Sequence, residues 1–243
     1  MDYFLSGEQI EPKGGAEHYS EELYQLPAPP TYYPRPEIPS GLRSRQDFGI
    51  SETKTLYLCP QSAVKFHPDL DYLLAGVLRG DDDAEVYVVE GAVGHWTEQL
   101  RQRWRVTIPD VAARIHVLLR QTPEDFLALQ SAADVILDTP HFSGGNTSYE
   151  AFALAKPIVT LDSAFMRGRV TAGLYRLMDI TELTANSLEE YVAIALRLGK
   201  DRDYNLALGR RIEACRDVLY GRKDVVDGFV EFVRSATYKA GAR

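Results

Sequence analysis

From Thr53 to about residue 220, short apolar runs alternate with longer amphipathic ones, and this alternation limits the fold more than any other feature of the chain. "TLYLCP", "AEVYVVEG", "RIHVLLR", "DVILDT" and "KPIVTL" read as strands. Between them, "PDLDYLLAGVLRG", "HWTEQLRQRWR", "TPEDFLALQSAA" and "SYEAFALA" read as helices, and "SLEEYVAIALRLGKD" follows the last strand. Local chemistry supports the boundaries. Pro68 and Pro123 suit first helical positions, Thr122 suits a cap, Trp96, Leu100 and Trp104 recur at i, i+4, i+8, and Ser187 with Glu190 has capping-box spacing. Strands separated by helices predict a parallel sheet covered on both faces. "VYVVE", "HVLL" and "DVILD" are almost continuously apolar, as strands buried on both faces require. The expected fold is α/β, a doubly wound parallel sheet over residues 53–220. Its ligand belongs at the carboxyl ends of the strands, in the loops that enter helices.

Residues 1–52 are different. "QLPAPPTYYPRPEIPSG" carries prolines at 27, 29, 30, 34, 36 and 39, which remove amide donors and block helix. This segment is expected to be an extended arm lying on a surface. "DYFL" reads as one short strand for which the first 50 residues offer no obvious partner. At the other end, residues 221–243 contain "DVVDGFVEFVRSA", an amphipathic helix expected to expose Val225, Phe229, Phe232 and Val233 on one side. Such a face predicts self-association or poor solubility.

The formal net charge is −8 with no run of Lys or Arg, which argues against nucleic acid as a partner. No stretch approaches the apolar length of a membrane span, and no cationic, apolar leader follows Met1, so a cytoplasmic protein is expected. The two cysteines, Cys59 and Cys215, are read as buried free thiols. Neither C-x-x-C nor H-E-x-x-H is present, and the five histidines do not pair at helix-face spacing, so no metal site and no cofactor are expected.

One loop combines several binding features. "DVILDTPHFSGGNTSYEAFALA" runs from a buried strand through two glycines into a helix start. Gly144 and Gly145 let the backbone approach a ligand. The helix start offers free amides and partial positive charge to a phosphate, with Asn146 and Thr147 at the same spot. Thr147 and Glu150 also have the spacing of a capping box that needs no ligand, so the pattern leaves both readings open. The loop is neither G-x-G-x-x-G nor a Walker A sequence. Lys65, after the first strand of the domain, and the loop "RQTPEDFLAL" lie at the same sheet edge. There Lys65 can reach an anion or stay solvated, and Phe126 can belong to the core or stack on a base. An anionic, aromatic ligand such as a nucleotide fits all three loops.

"CPQSAVKFHPD", "LRQTPEDFLALQSAADVILDTPHFSGGNTSYEAFALAKPIVTL" and "RVTAGLYRLMDITELTANSLEEYVAIALRLGKD" together resemble the carboxyl-terminal half of the catalytic region of protein O-linked N-acetylglucosamine transferases, most closely the bacterial members with tetratricopeptide repeats. The resemblance implies the Rossmann-like, nucleotide-binding second domain of a glycosyltransferase-B fold, and UDP-N-acetylglucosamine or UDP as ligand. It implies that Lys65 contacts the diphosphate, with Ser62 where eukaryotic members have a phosphate-touching glutamine. Asn146 and Thr147 would bind phosphate and Glu150 the ribose. Gln121 would meet the uracil through its backbone, with Phe126 stacking and Phe142 near the sugar. Gly145 stands where relatives have a histidine, and Pro123 where they have a ribose-touching lysine.

The family's reaction passes the sugar to a Ser/Thr hydroxyl of an acceptor protein, and no catalytic residue is assigned to this chain. His141 near the site reads as an incidental loop histidine. The resemblance places a first α/β domain and repeats ahead of this segment, so residues 1–52 are read as the tail of that first domain. A separate chain carrying the first domain and repeats is a candidate partner, and the isolated chain is expected to bind nucleotide with weak or no transfer. The competing readings are a non-catalytic nucleotide-binding or scaffold remnant, a relative using GDP-fucose, and a sugar-nucleotide epimerase.

Overall fold

The computed structural model describes residues 2–91 and 93–241. Six strands form one parallel sheet. They are β3 (Thr55–Cys59), β4 (Ala84–Val89), β5 (Ile115–Leu118), β6 (Val135–Leu137), β7 (Ile158–Leu161) and β8 (Thr184–Ala185), in the order β5-β4-β3-β6-β7-β8. From β3 the chain first winds outward through β4 to β5, then returns to β6 and winds the other way. This is the Rossmann-like doubly wound order, and the reversal leaves a crevice between the carboxyl ends of β3 and β6.

The flanking helices are α1 (Pro68–Gly80), α2 (Gly94–Thr107), α3 (Pro123–Ala132), α4 (Asn146–Ala153), α5 (Val170–Leu177), α6 (Leu188–Lys200) and α7 (Arg202–Cys215). α1 packs on α6 at close range, because a β-carbon on Gly76 would come within 2.7 Å of Val192. Expected caps form at Thr122, which accepts from Asp125 N–H at 3.1 Å, and at Ser187, which accepts from Glu190 N–H at 3.1 Å. The Glu190 carboxylate reaches back to Asn186 N–H at 2.8 Å rather than to the cap residue itself, so only half of a capping box is made.

Three expectations are corrected. "HVLL" is not buried on both faces: β5 is an edge strand, and His116 to Leu118 are half-buried. "DYFL" does have a partner nearby. β1 (Tyr3–Gly7) pairs in parallel with β2 (Glu22–Leu26) over five residues, from Tyr3↔Glu22 to Gly7↔Leu26. The intervening loop makes the parallel return, and α5 holds it: Arg169 donates to Ile10 O at 3.1 Å and Arg176 to Gln9 O at 2.7 Å. Cys215 is exposed, and only Cys59 is buried.

The small sheet also covers part of the final helix, α8 (Lys223–Gly241). Val225 is buried with Leu26 and Ala28, and Phe232 packs against Tyr3 and Tyr24 at ring distances of 5.2 and 4.9 Å. Phe229 and Val233 remain exposed, as expected. The proline-rich arm crosses the main domain, with Tyr33 stacked on Tyr149 at 4.3 Å and Arg35 paired with Asp217 at 2.9 Å. Among the described residues no helix is long and apolar enough to cross a membrane.

Candidate functional site

The crevice is built from the loops that leave β3 and β6. After β3 the chain makes a tight turn at Ala63–Lys65, which swings the Lys65 side chain back over the sheet edge. There its Nζ donates to Gln61 Oε1 at 3.0 Å and to Ser143 O at 2.8 Å, and lies 4.6 Å from the Phe142 ring centroid. One ammonium thus bridges both loops. Burial pushes its pKa below the ordinary lysine value, because a charged group loses hydration there, while the nearby Asp138 opposes the shift.

Asp138, at the end of β6, organises the second loop. Its Oδ1 accepts from Thr139 N–H at 2.9 Å and Gly144 N–H at 2.7 Å, and its Oδ2 from Thr160 Oγ1 at 2.8 Å. Burial raises the pKa of this carboxyl, and the hydrogen bonds act in the opposite direction. Ser143 extends the scaffold, its Oγ accepting from Val170 N–H at 2.9 Å and its N–H donating to Arg167 O at 2.9 Å. Gly144 is required by crowding, since a β-carbon there would lie 2.8 Å from both Gln61 Nε2 and Thr147 Oγ1. Gly145 is the opposite case: a β-carbon would meet nothing within 4 Å, so its backbone borders open space.

The helix after this loop starts two residues earlier than its sequence suggests, at Asn146. Thr147 therefore sits inside the first turn and does not cap. Its hydroxyl accepts from Gln61 Nε2 at 2.7 Å instead. Glu150 makes no capping bond either: it accepts from Gln130 Nε2 at 3.2 Å, and burial raises its pKa. The capping-box reading of T-x-x-E is thus set aside. The first intrahelical bonds run from Ser148 and Tyr149 N–H to Gly145 O, which leaves the Asn146 and Thr147 amides ahead of the helical ladder, facing the loop without a side-chain cap. Asn146 and Glu150 are one turn apart on the same face of α4.

The third loop forms the other wall. Ser62, Gln121 and Phe126 line an open cleft of about 310 Å³ together with Gln61, Glu90 and Arg120. Gln121 makes only a local side-chain bond, to Leu119 O at 2.6 Å. Phe126 and Gln130 share one face of α3, and Gln130 bonds to Glu150 on α4, which connects the cleft to the helix start. A larger hollow of about 450 Å³ lies at the amino ends of the strands, where Lys156 Nζ donates to Ala133 O at 2.9 Å and Arg45 pairs with Asp134 at 2.7 Å. The chemistry converges at the carboxyl ends.

Every residue expected at the site lies along this crevice: Lys65, Phe142, Gly145, Asn146 and Thr147 at the helix start, Ser62, Gln121 and Phe126 in the cleft, and Glu150 between them. Gln61, Asp138, Ser143 and Gln130 were not foreseen. Gln61 directly precedes the chosen Ser62, and it is Gln61 that is buried and bonded to Lys65 and Thr147, whereas Ser62 is exposed. An acid ending the apolar run "DVILD" was a visible clue to Asp138, since a buried carboxylate needs several donors. His141 is not isolated either: its Nε2 lies 2.7 Å from Asp69 Oδ2.

Comparison with known proteins agrees with this geometry. The sequence model of glycosyl transferase family 41 matches residues 105–221, which include the Arg120–Phe126 wall of the cleft, the Asp138 loop and α4. A probable UDP-N-acetylglucosamine–peptide N-acetylglucosaminyltransferase SEC of Arabidopsis thaliana is 25% identical over 226 residues, covering 89% of this chain and 23% of the relative. A variant of the Thermobaculum terrenum O-GlcNAc transferase superposes with a TM-score of 0.79 at 27% identity, covering 97% of this chain and 44% of that one. Residues 105–221 thus resemble glycosyltransferase family 41. This chain spans less than half of each of these two relatives. Its fold also matches the pneumococcal O-GlcNAc transferase GtfA, solved with UDP and GlcNAc, at a TM-score of 0.59 and 13% identity. The fold is therefore that of a Rossmann-like glycosyltransferase-B domain.

Proposed function

We propose that this chain is the donor-nucleotide-binding part of an enzyme that transfers N-acetylglucosamine from UDP-N-acetylglucosamine to Ser/Thr hydroxyls of an acceptor protein. The observation that carries the reading is the convergence, at one switch-point crevice, of a half-buried lysine, an uncapped helix start and an aromatic-walled cleft. The names of the relatives and the nucleotide-bound pneumococcal neighbour support the same ligand class.

Lys65 and the first amides of α4 hold the diphosphate. As the bond from sugar to phosphate breaks, negative charge grows on the departing UDP, and these fixed donors stabilise it without having to reorganise. Lys65 then exchanges its internal acceptors, Gln61 Oε1 and Ser143 O, for phosphate oxygens. Phe126 stacks on the uracil, the backbone at Gln121 reads its edge, and Glu150 takes the ribose hydroxyls. Phe142, exposed beside Lys65, borders the sugar. Transfer further requires the acceptor hydroxyl in line with the anomeric carbon. The partners proposed are the acceptor protein and the remaining part of the catalytic region, supplied by the same or a separate chain.

Calorimetric titration of the folded protein with UDP, uridine and GDP tests the assignment. UDP is expected to bind, uridine more weakly and GDP more weakly than UDP. No heat at millimolar UDP would sink the site, and tighter GDP binding would move the donor to a guanosine diphosphate sugar.

A further inference from the structure

We propose that His67, Asp69 and His141 form a binding site for a divalent transition-metal ion of the Zn²⁺ or Co²⁺ class at the rim of the crevice. His67 and Asp69 come from the turn that enters α1, and His141 from the loop after β6, 72 residues from Asp69 in sequence. One ligand atom from each of the three lies within 4.8 Å of the others. Two ligands of a tetrahedral ion at about 2.1 Å stand roughly 3.4 Å apart. Here Asp69 Oδ2 is 3.4 Å from His67 Nδ1 and 2.7 Å from His141 Nε2, and the two rings are 4.5 Å apart. The spacing is thus near that of a first coordination shell. In the metal-free chain the His141–Asp69 hydrogen bond occupies the place the ion would take.

The donor set selects the metal. Two imidazoles and one carboxylate suit Zn²⁺, Co²⁺ or Ni²⁺, whereas Mg²⁺ and Ca²⁺ prefer shells of oxygen. The site is open to solvent, with side-chain exposures of 52% for His67, 40% for Asp69 and 42% for His141, so an ion can enter and keep a position for water or another ligand.

The His141 side of the site is also held in advance. His141 has a φ of 67°, in the left-handed region that is costly for a residue with a β-carbon. Its backbone is fixed by Ser163 Oγ, which accepts from its N–H at 3.3 Å, and by Arg167 Nε, which donates to its carbonyl at 3.3 Å. His67 Nδ1 accepts from Asp69 N–H at 3.2 Å as the cap of α1, and an ion would take that lone pair in place of the amide. An ion here would tie together the same two loops that Lys65 bridges. No sequence motif announces the site because its ligands come from separate loops.

The test uses the full chain and needs no nucleotide, so it stands apart from the proposed UDP site. Co²⁺ is expected to develop the visible absorption of a low-coordinate histidine-bound ion, and Zn²⁺ to compete it away with one equivalent per chain. The double variant His67→Ser with His141→Asn keeps a capping oxygen at 67 and a residue tolerant of positive φ at 141. It is expected to lose affinity by more than the ~10–100-fold that removing even an outer-shell partner costs, with the metal-free thermal midpoint unchanged. In the wild-type chain, histidine-selective NMR should show Zn²⁺ shifting the ring signals of His67 and His141 while those of His18, His95 and His116 stay in place. Absence of binding, equal binding by the double variant, or shifts confined to the other histidines would each overturn the proposal.

Discussion

The two ends of the crevice are built differently. At the helix start, nearly every polar group has a partner far away in sequence: Lys65 on Ser143, Gln61 on Thr147, Asp138 on Thr160. At the cleft, Gln121 bonds only two residues away and Phe126 is half-buried without a polar anchor. A diphosphate carries concentrated charge and needs donors fixed before it arrives, because reorganising dipoles costs binding energy. A base offers a flat apolar face and an edge, which a half-buried ring and backbone groups can meet with less pre-organisation. The comparison teaches that the phosphate end should fail sharply when altered, and the base end gently.

The largest effect is expected from Lys65→Ala. Loss of a hydrogen-bonding charge is worth about 1.5–3 kcal/mol, so UDP affinity should drop about 10- to 100-fold in calorimetry while uridine binding hardly changes. Equal weakening of both ligands would place Lys65 away from the phosphates. Asp138→Ala should come next, through stability. It leaves the Gly144 and Thr139 amides and the Thr160 hydroxyl without their acceptor, at a cost of about 1–3 kcal/mol in urea unfolding. Asp138→Asn keeps one acceptor oxygen for the two amides and should lose much less; identical losses would show that the contact network is not what stabilises the loop.

A pH series sharpens the same contrast. The burial-lowered pKa of Lys65 means that its charge, and with it the preference for UDP over uridine, is present at neutral pH and lost as pH rises, below the ordinary lysine value of 10.5. Using the ratio of the two affinities cancels effects on the base. A ratio constant up to that value would argue that the lysine charge contributes nothing. At the cleft, Phe126→Ala should lower UDP and uridine affinity alike by about two- to tenfold, the scale of one aromatic contact. Gln121→Ala should be smallest, within about twofold, since the side chain bonds only its own loop and the proposed contact is through backbone. A large loss there would transfer base recognition to the side chain.

Much of this architecture was legible because it rests on local periodicity. The strands β3 to β7 and the helices α1 to α4 and α6 follow from apolar spacing and caps, and their order put the site at the correct sheet edge. α5 is harder to read because it spans only eight residues, Val170–Leu177, with Gly173 at its centre and Thr171 to Tyr175 all buried. α7 was missed for the opposite reason: only Leu208 and Ile212 are fully buried along it. The β1–β2 pair is not legible because its partner strand reads as half-exposed and irregular, and its connecting loop is held by Arg169, at the start of α5, and Arg176 within it. That pairing also covers Val225 and Phe232, which sequence alone left bare.

The sequence by itself determined the alternation of strands and helices, the loops that end at a ligand, and the residue types those loops carry, since each depends on a few consecutive residues. Tertiary structure decided which of them act together. It took Thr147 from its apparent cap and gave it to Gln61, joined Lys65 to the Ser143 carbonyl, and set His141 beside Asp69. Contacts of this kind depend on how two loops, separated by more than 70 residues, leave adjacent strands. Strand order, not local pattern, brings them within hydrogen-bonding distance.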